Sequence, residues 1–387
     1  MARETVVRPQ AVGPAAFEDT SDAGAQAQAA ILLSVGVQLR GDDLKTINKS
    51  AAVGKPTEPF AIRNVSVVAA DAAPEDVAAS ATEFPLPSLR PAPEKVSARF
   101  LALAEAPEPA TITGMADRLY DRPSHETAAT LAEAAMNDRS RDLLVRVAAA
   151  NAALAVTADP ATAIATIEEG VQSDDELTRE VAATTLGRYL PEHPLLRQLL
   201  GREIEPRGEG PRTHTSMLVH GTWAKGNDWW QPGFPGNFHE YLRGNVFADL
   251  YSLADRYDWS GGYSPGARAL AGVQLVDWIR SHNEEGINLI THSHGGSVAM
   301  LASAQVNLGK LVLLACPVHP ATYSVNFANV QKVVSVRVKL DLVLLADGGG
   351  GQFPDPRYNE HVLPIWFNHS KPHEEAVWRR YNVPAML

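Results

Sequence analysis

Apolar and polar residues alternate with different periods in different parts of this 387-residue chain. From Pro211 onward, short apolar runs of strand length alternate with stretches whose apolar residues recur near 3.6. That is the pattern of a mostly parallel sheet with helices on its faces. Ser216-Met217-Leu218-Val219 reads as a buried strand ending in His220-Gly221-Thr222-Trp223, and residues 256–262 read as another strand with a turn. Ser264 and Pro265 then suit the cap and first position of a helix carrying Ala267, Leu270, Ala271, Val276 and Ile279. Residues 287–290 are strand-like, as are 310–315, 332–340 and 362–367, and a helix is expected over 374–381.

Upstream the period changes. Residues 114–204 read as helical, and 141–154 resemble 175–186 in their charged start and alanine-rich continuation. Small residues on one helix face permit close packing, so stacked hairpins of HEAT-like type are expected, with a plain helical bundle equally compatible. Within 26–113 the segments 31–39, 62–68 and 96–103 look like short strands between Pro/Ala-rich connectors. They predict a small β-rich module, or a loosely ordered arm packed on the rest of the chain or on another subunit. Residues 1–25 are polar and alanine-rich and are expected to fray.

Charge and aromatic content sharpen this division. The residues from Pro211 on hold 14 Lys+Arg and 14 Asp+Glu, so the preceding 210 carry the whole net charge of −11. All seven tryptophans and ten of the twelve histidines also lie after Pro211. Two differently composed halves predict separate domains, 114–204 and 211–387, meeting at a Pro/Gly/charge linker over 205–211. A homo-oligomer through the acidic N-terminal half fits this composition. No basic stripe suggests nucleic acid as a partner, and no apolar run reaches membrane-spanning length. Cys316, the single cysteine, sits in an apolar run where a buried structural thiol is expected rather than a nucleophile. With no apolar leader at the start, a cytoplasmic location is expected.

The chemistry concentrates at Thr291-His292-Ser293-His294-Gly295-Gly296, between an apolar strand and a helix that opens with small residues. A serine at the apex of such a turn is pushed out of the sheet, provided the residues around it are small. Gly295 meets that need on one side. Thr291 stands on the other, and fits only with an extended backbone. His292 and His294 have no carboxylate or cysteine at ligand spacing nearby, so neither a metal nor any other cofactor is expected.

Taken together, His-Gly-x after an early strand, a strand–Ser–helix elbow and a late histidine make residues 211–387 resemble the α/β-hydrolase superfamily on its lipase/esterase side. The resemblance does not extend to the first 210 residues, and Thr291 departs from its usual glycine. It implies a Ser…Asp…His triad of Ser293 as nucleophile, Asp341 as the acid (Asp347 the alternative) and His369 as the base (His373 the alternative). Backbone N–H groups of Thr222 and His294 would form an oxyanion hole. Trp223, Trp229, Trp230 and Phe234, in a Gly/Pro-rich insertion beside His220-Gly221, would line an apolar substrate site. The implied activity is hydrolysis of medium or long acyl esters, from small molecules or lipids. An acyltransferase or thioesterase would use the same residues. A helical-repeat interaction protein with an inactive hydrolase-like domain remains the alternative of another kind.

Overall fold

The computed structural model describes residues 13–40, 86, 89, 111–156, 160–200, 216–349 and 351–387. The strand-like segments 62–68 and 96–103 and the linker 205–211 lie outside these. The described chain is mixed α/β, and it divides into two compact units, residues 1–185 and 186–387.

The first unit is helical. Its helices are α1 (Asp22–Leu39), α2 (Ile112–Asp121), α3 (His125–Asn137), α4 (Leu143–Ala153), α5 (Ala161–Val171) and the greater part of α6 (Glu176–Tyr189). Two N-terminal expectations are corrected here. Residues 31–39 form the second half of α1, not a strand. Ile31, Leu32, Leu33, Val35 and Val37 are all fully buried, so the helix is apolar all round and its 3.6 period disappears from the sequence. A cap starts it, with Ser21 Oγ accepting from the Gly24 N–H at 3.1 Å. Residues 13–25 are not frayed either: Gly13–Glu18 is a 3-10 turn that buries Ala16 and Phe17.

Close approach explains the small residues of this unit. A Cβ on Gly36 would lie 2.8 Å from Asn151 Oδ1 and 3.1 Å from Ala152 Cα, so α1 and α4 meet nearly backbone to backbone. Between α4 and α5 the buried Arg146 reaches the Glu169 carboxylate at 2.8 Å.

The second unit is built on a five-stranded parallel sheet in the order β1 (Ser216–Val219), β2 (Asn288–His292), β3 (Leu308–Leu314), β4 (Val330–Lys339), β5 (Tyr358–Trp366). Its helices are α7 (Pro194–Leu199), α8 (Phe238–Asn245), α9 (Pro265–His282), α10 (His294–Ala302), α11 (Leu342–Asp347) and α12 (Glu375–Arg380). Alternate strand residues feed two cores. Met217, Leu289, Leu311 and Val333 pack with Leu275 and Ile279 of α9 and Val298 and Ala299 of α10. Leu218, Ile290, Val312 and Val334 pack with Leu242 of α8 and Trp378 of α12. A sheet buried on both faces is why its strands read as continuous apolar runs.

The expected strand over 256–262 is absent. That segment is an irregular connection whose Tyr257 and Trp259 are buried in the first of these cores. Trp259 also donates its indole N–H to the His220 carbonyl at 2.9 Å. Burial and side-chain anchoring, not ladder pairing, fix its course.

Candidate active site

Every strand of the sheet leads, at its C-terminal end, into a non-glycine residue with positive φ. They are Trp223 (57°), Ser293 (52°), Ala315 (47°), Leu340 (46°) and Phe367 (70°). Such conformations cost about 1–3 kcal/mol each and persist only where the surroundings over-determine them. Here the strand ends supply that constraint. Ser293 N–H donates to the Leu314 carbonyl, Ala315 N–H to that of Val336 and Phe367 N–H to that of Lys339, at 2.8–2.9 Å. The carboxyl edge of a parallel sheet is where α/β proteins place their ligands.

Ser293 occupies the apex between β2 and α10 and is 7% exposed. Thr291 keeps the extended backbone that its branched side chain requires, and its hydroxyl donates to the Val312 carbonyl at 2.9 Å. Gly295 is compelled by contact: a Cβ there would sit 2.4 Å from the His220 carbonyl oxygen. A Cβ on Gly221 would lie 2.8 Å from Ser293 Cβ, so the loop after β1 passes directly against the serine.

Asp341 follows β4 and His369 follows β5. The His369 Nδ1–H donates to Asp341 Oδ2 at 2.8 Å, with both side chains 3% exposed. The other carboxylate oxygen accepts from the Val343 and Leu344 N–H groups at 3.0 and 3.1 Å, so Asp341 also caps α11. The contact engages His369 Nδ1 and orients the ring through the carboxylate.

The two histidines flanking Ser293 anchor different clusters. The His292 ring lies 4.8 Å from that of His369 and 4.5 Å from that of His373, and its Nε2 is 3.3 Å from the His369 carbonyl oxygen. Burial, followed by repulsion from the His373 and His369 rings, holds His292 well below the usual histidine range. His373, the alternative base, stacks on Trp229 at 4.1 Å. Burial and the nearby His369 push it down to about 3, so it stays neutral.

His294 belongs to the second cluster, and so does Asp347, the alternative acid. The His294 Nδ1 is 3.1 Å from Thr222 Oγ1, and its Nε2 is 3.5 Å from Asp347 Oδ1. Asp347 Oδ2 lies 2.5 Å from His319 Nε2, while Oδ1 accepts the Tyr263 hydroxyl proton at 2.5 Å. Burial opposes the Asp347 charge, but the His294 and His319 rings outweigh it and hold the carboxyl well below its ordinary range. Desolvation, then the Arg268 charge, lowers His294 to about 4. The structure therefore sorts the two aspartates between two histidine groups.

Thr222 and His294, the expected oxyanion-hole pair, are joined through their side chains. The Thr222 hydroxyl is thus engaged by His294, and the backbone N–H groups are left as the donors to consider. The N–H groups of a helix's first turn lack intrahelical acceptors and favour negative charge. The turn after β1 is held by Trp223 N–H donating to the Gly261 carbonyl at 2.9 Å. It is braced further by His220, whose Nε2 meets Asp258 Oδ1 at 3.1 Å.

The aromatic set separates. Trp229 borders the His292/His373 cluster. Trp223 stacks on Tyr263 at 5.6 Å. Phe234 is half-buried in the turn before α8, where its carbonyl accepts from Asn237 N–H. Trp230 is corrected: it is 1% exposed, donates to the Ala224 carbonyl at 2.7 Å and packs on the His220 ring, so it is core and not a substrate contact. Cys316 is fully buried, and desolvation pushes its thiol up to about 12.

Sequence reasoning missed His319, Tyr263 and Asp258 as members of these clusters. Each comes from a connection with no motif of its own. Only His220, in His-Gly-Thr-Trp, carried a readable signal. No protein-family model, curated protein or solved structure matches this chain.

Proposed function

We propose that the second unit is a serine hydrolase of α/β-hydrolase type, acting on carboxylic esters of medium or long acyl chains through an acyl-enzyme. The reading rests on one observation above all: the buried 2.8 Å contact of His369 Nδ1 with Asp341 Oδ2, at the sheet edge that also holds Ser293 in its positive-φ turn. In this scheme Ser293 Oγ attacks the ester carbonyl while His369 Nε2 takes its proton. Asp341 holds the tautomer and stabilises the imidazolium. The Thr222 and His294 N–H groups receive the oxyanion, worth about 3 kcal/mol per donor. Collapse returns the proton to the departing alcohol, and water repeats the sequence to release the acid. Trp229, against the His292 ring, and Trp223, stacked on Tyr263, support an apolar acyl group. A HEAT-like role for the preceding helices, as a scaffold or a contact between copies, belongs to the same proposal.

Fluorophosphonate labelling and p-nitrophenyl ester hydrolysis test it. Ser293→Ala is expected to abolish labelling and lower turnover by roughly 10⁴–10⁶-fold. His369→Ala should do likewise, and His373→Ala should not. Unchanged turnover in Ser293→Ala would remove the assignment and favour an interaction protein with an inactive domain.

A further inference from the structure

We infer that His294, His319 and Asp347 form a binding site for a divalent transition metal, Zn²⁺ by the chemistry of its donors. The three side chains come from the first turn of α10, the loop between β3 and β4, and the end of α11. One ligand atom from each lies within 4.8 Å of the others. Two imidazole nitrogens and a carboxylate oxygen are a common zinc donor set, and three protein ligands leave a fourth position for water.

Two observations point to a ligand and not to a hydrogen-bond network alone. First, His294 Nε2 is buried without a hydrogen-bond partner, in a side chain 4% exposed, and lies 3.5 Å from Asp347 Oδ1. Zinc–ligand bonds near 2.05 Å at the tetrahedral angle set ligand atoms about 3.3 Å apart, close to that spacing. Second, Thr222 Oγ1 is 3.1 Å from His294 Nδ1. An Nδ1–H donating to that hydroxyl fixes the tautomer with its lone pair on Nε2, the usual orienting role of a metal ligand's other ring nitrogen. The Tyr263 hydroxyl donates to Asp347 Oδ1 in the same supporting manner.

His319 Nε2 and Asp347 Oδ2 are in hydrogen-bond contact at 2.5 Å, and metal binding would replace that contact. These two atoms must then part by somewhat under an ångström. His319 can move, since its side chain is 28% exposed, and the same exposure gives an entry path. Once bound, the ion would tie the helix that follows Ser293 to two other loops of the sheet edge. Through Thr222 it would also hold the turn after β1.

The test uses the full chain, stripped with EDTA and titrated with Zn²⁺ alone by calorimetry, with Co²⁺ as a spectroscopic stand-in. One Zn²⁺ per chain, a rise in Tm on adding it, and tetrahedral d–d bands from Co²⁺ are expected. His319→Ala should weaken Zn²⁺ binding by at least ~10-fold, and Thr222→Val by ~10–100-fold. His282→Ala, at a separate ring-and-carboxylate pair with Asp255, should bind as the parent does. The inference falls if the parent chain takes up no Zn²⁺, or if His319→Ala matches it in stoichiometry and affinity. Should His319→Ala not fold, the Co²⁺ spectrum of the parent decides: tetrahedral bands support the site and an octahedral spectrum alone overturns it.

Discussion

The carbonyl oxygen of His220 lies where a side chain on residue 295 would have to go, 2.4 Å from an ideal Cβ on Gly295. The end of β1 and the first turn of α10 are therefore in backbone contact immediately beside Ser293. Gly295→Ala must push them apart. The expected cost is about 1–3 kcal/mol of stability, read as a lower urea midpoint, together with a loss of fluorophosphonate labelling in whatever fraction stays folded. Wild-type labelling in Gly295→Ala would mean that the turn relaxes without disturbing the serine.

Asp341 has two separable tasks. One oxygen caps α11 and the other receives the His369 Nδ1–H. Asp341→Asn retains an oxygen for the cap but presents an amide to the imidazole, so the ring's tautomer is wrong. We expect a near-parental Tm with ester turnover down by about 10⁴-fold. Asp341→Ala should lose both functions and cost a further ~1 kcal/mol in stability. Equal Tm values for the two variants would show that the cap contributes little.

The pH dependence of stability follows from histidines kept neutral. Burial and its neighbours hold His373 near 3, and burial lowers His239 as well. The unfolded chain binds these protons near pH 6.5 and the native state refuses them. Stability is thus complete above about pH 6.5 and declines as pH falls toward the native value near 3. Tm measured from pH 7.5 down to 5 should fall, and His373→Phe, which keeps an aromatic ring against Trp229, should flatten the slope. An unaltered slope in that variant would place the titration elsewhere.

Cys316 is expected to be inert in the native chain. Its thiol is fully buried, raised to about 12, and sits so close to α10 that a Cβ on Gly296 would lie 2.5 Å from its sulfur. An aromatic disulfide reagent at pH 8 should release no chromophore until denaturant is added, and then one equivalent per chain. Prompt reaction would indicate opening between α10 and β3.

Much of the second unit was legible because its segments carry local signatures, although their partners are distant in sequence. Three apolar residues before His220, a Ser-Pro helix start at 264–265 and the apolar run before Ser293 each carry a local signature. Local cues served less well where burial was complete. Residues 31–39 read as a strand because a helix enclosed on every side shows no polar face, and 256–262 read as a strand although side-chain anchors, not a ladder, fix its course. Trp230 looked like a substrate contact because an aromatic beside a glycine-rich turn gives no sign of which way it faces.

What the sequence determined by itself is the kind of chemistry available at the turn: a serine between a strand and a helix, with small residues where backbones must touch. Which acid joins which histidine was beyond it. Asp341 and Asp347 lie six positions apart, yet one follows a strand and meets His369, and the other ends a short helix between His294 and His319. Parallel strands bring distant segments side by side at one sheet edge, so partners are chosen by strand order and register, and no local pattern of residues encodes that choice.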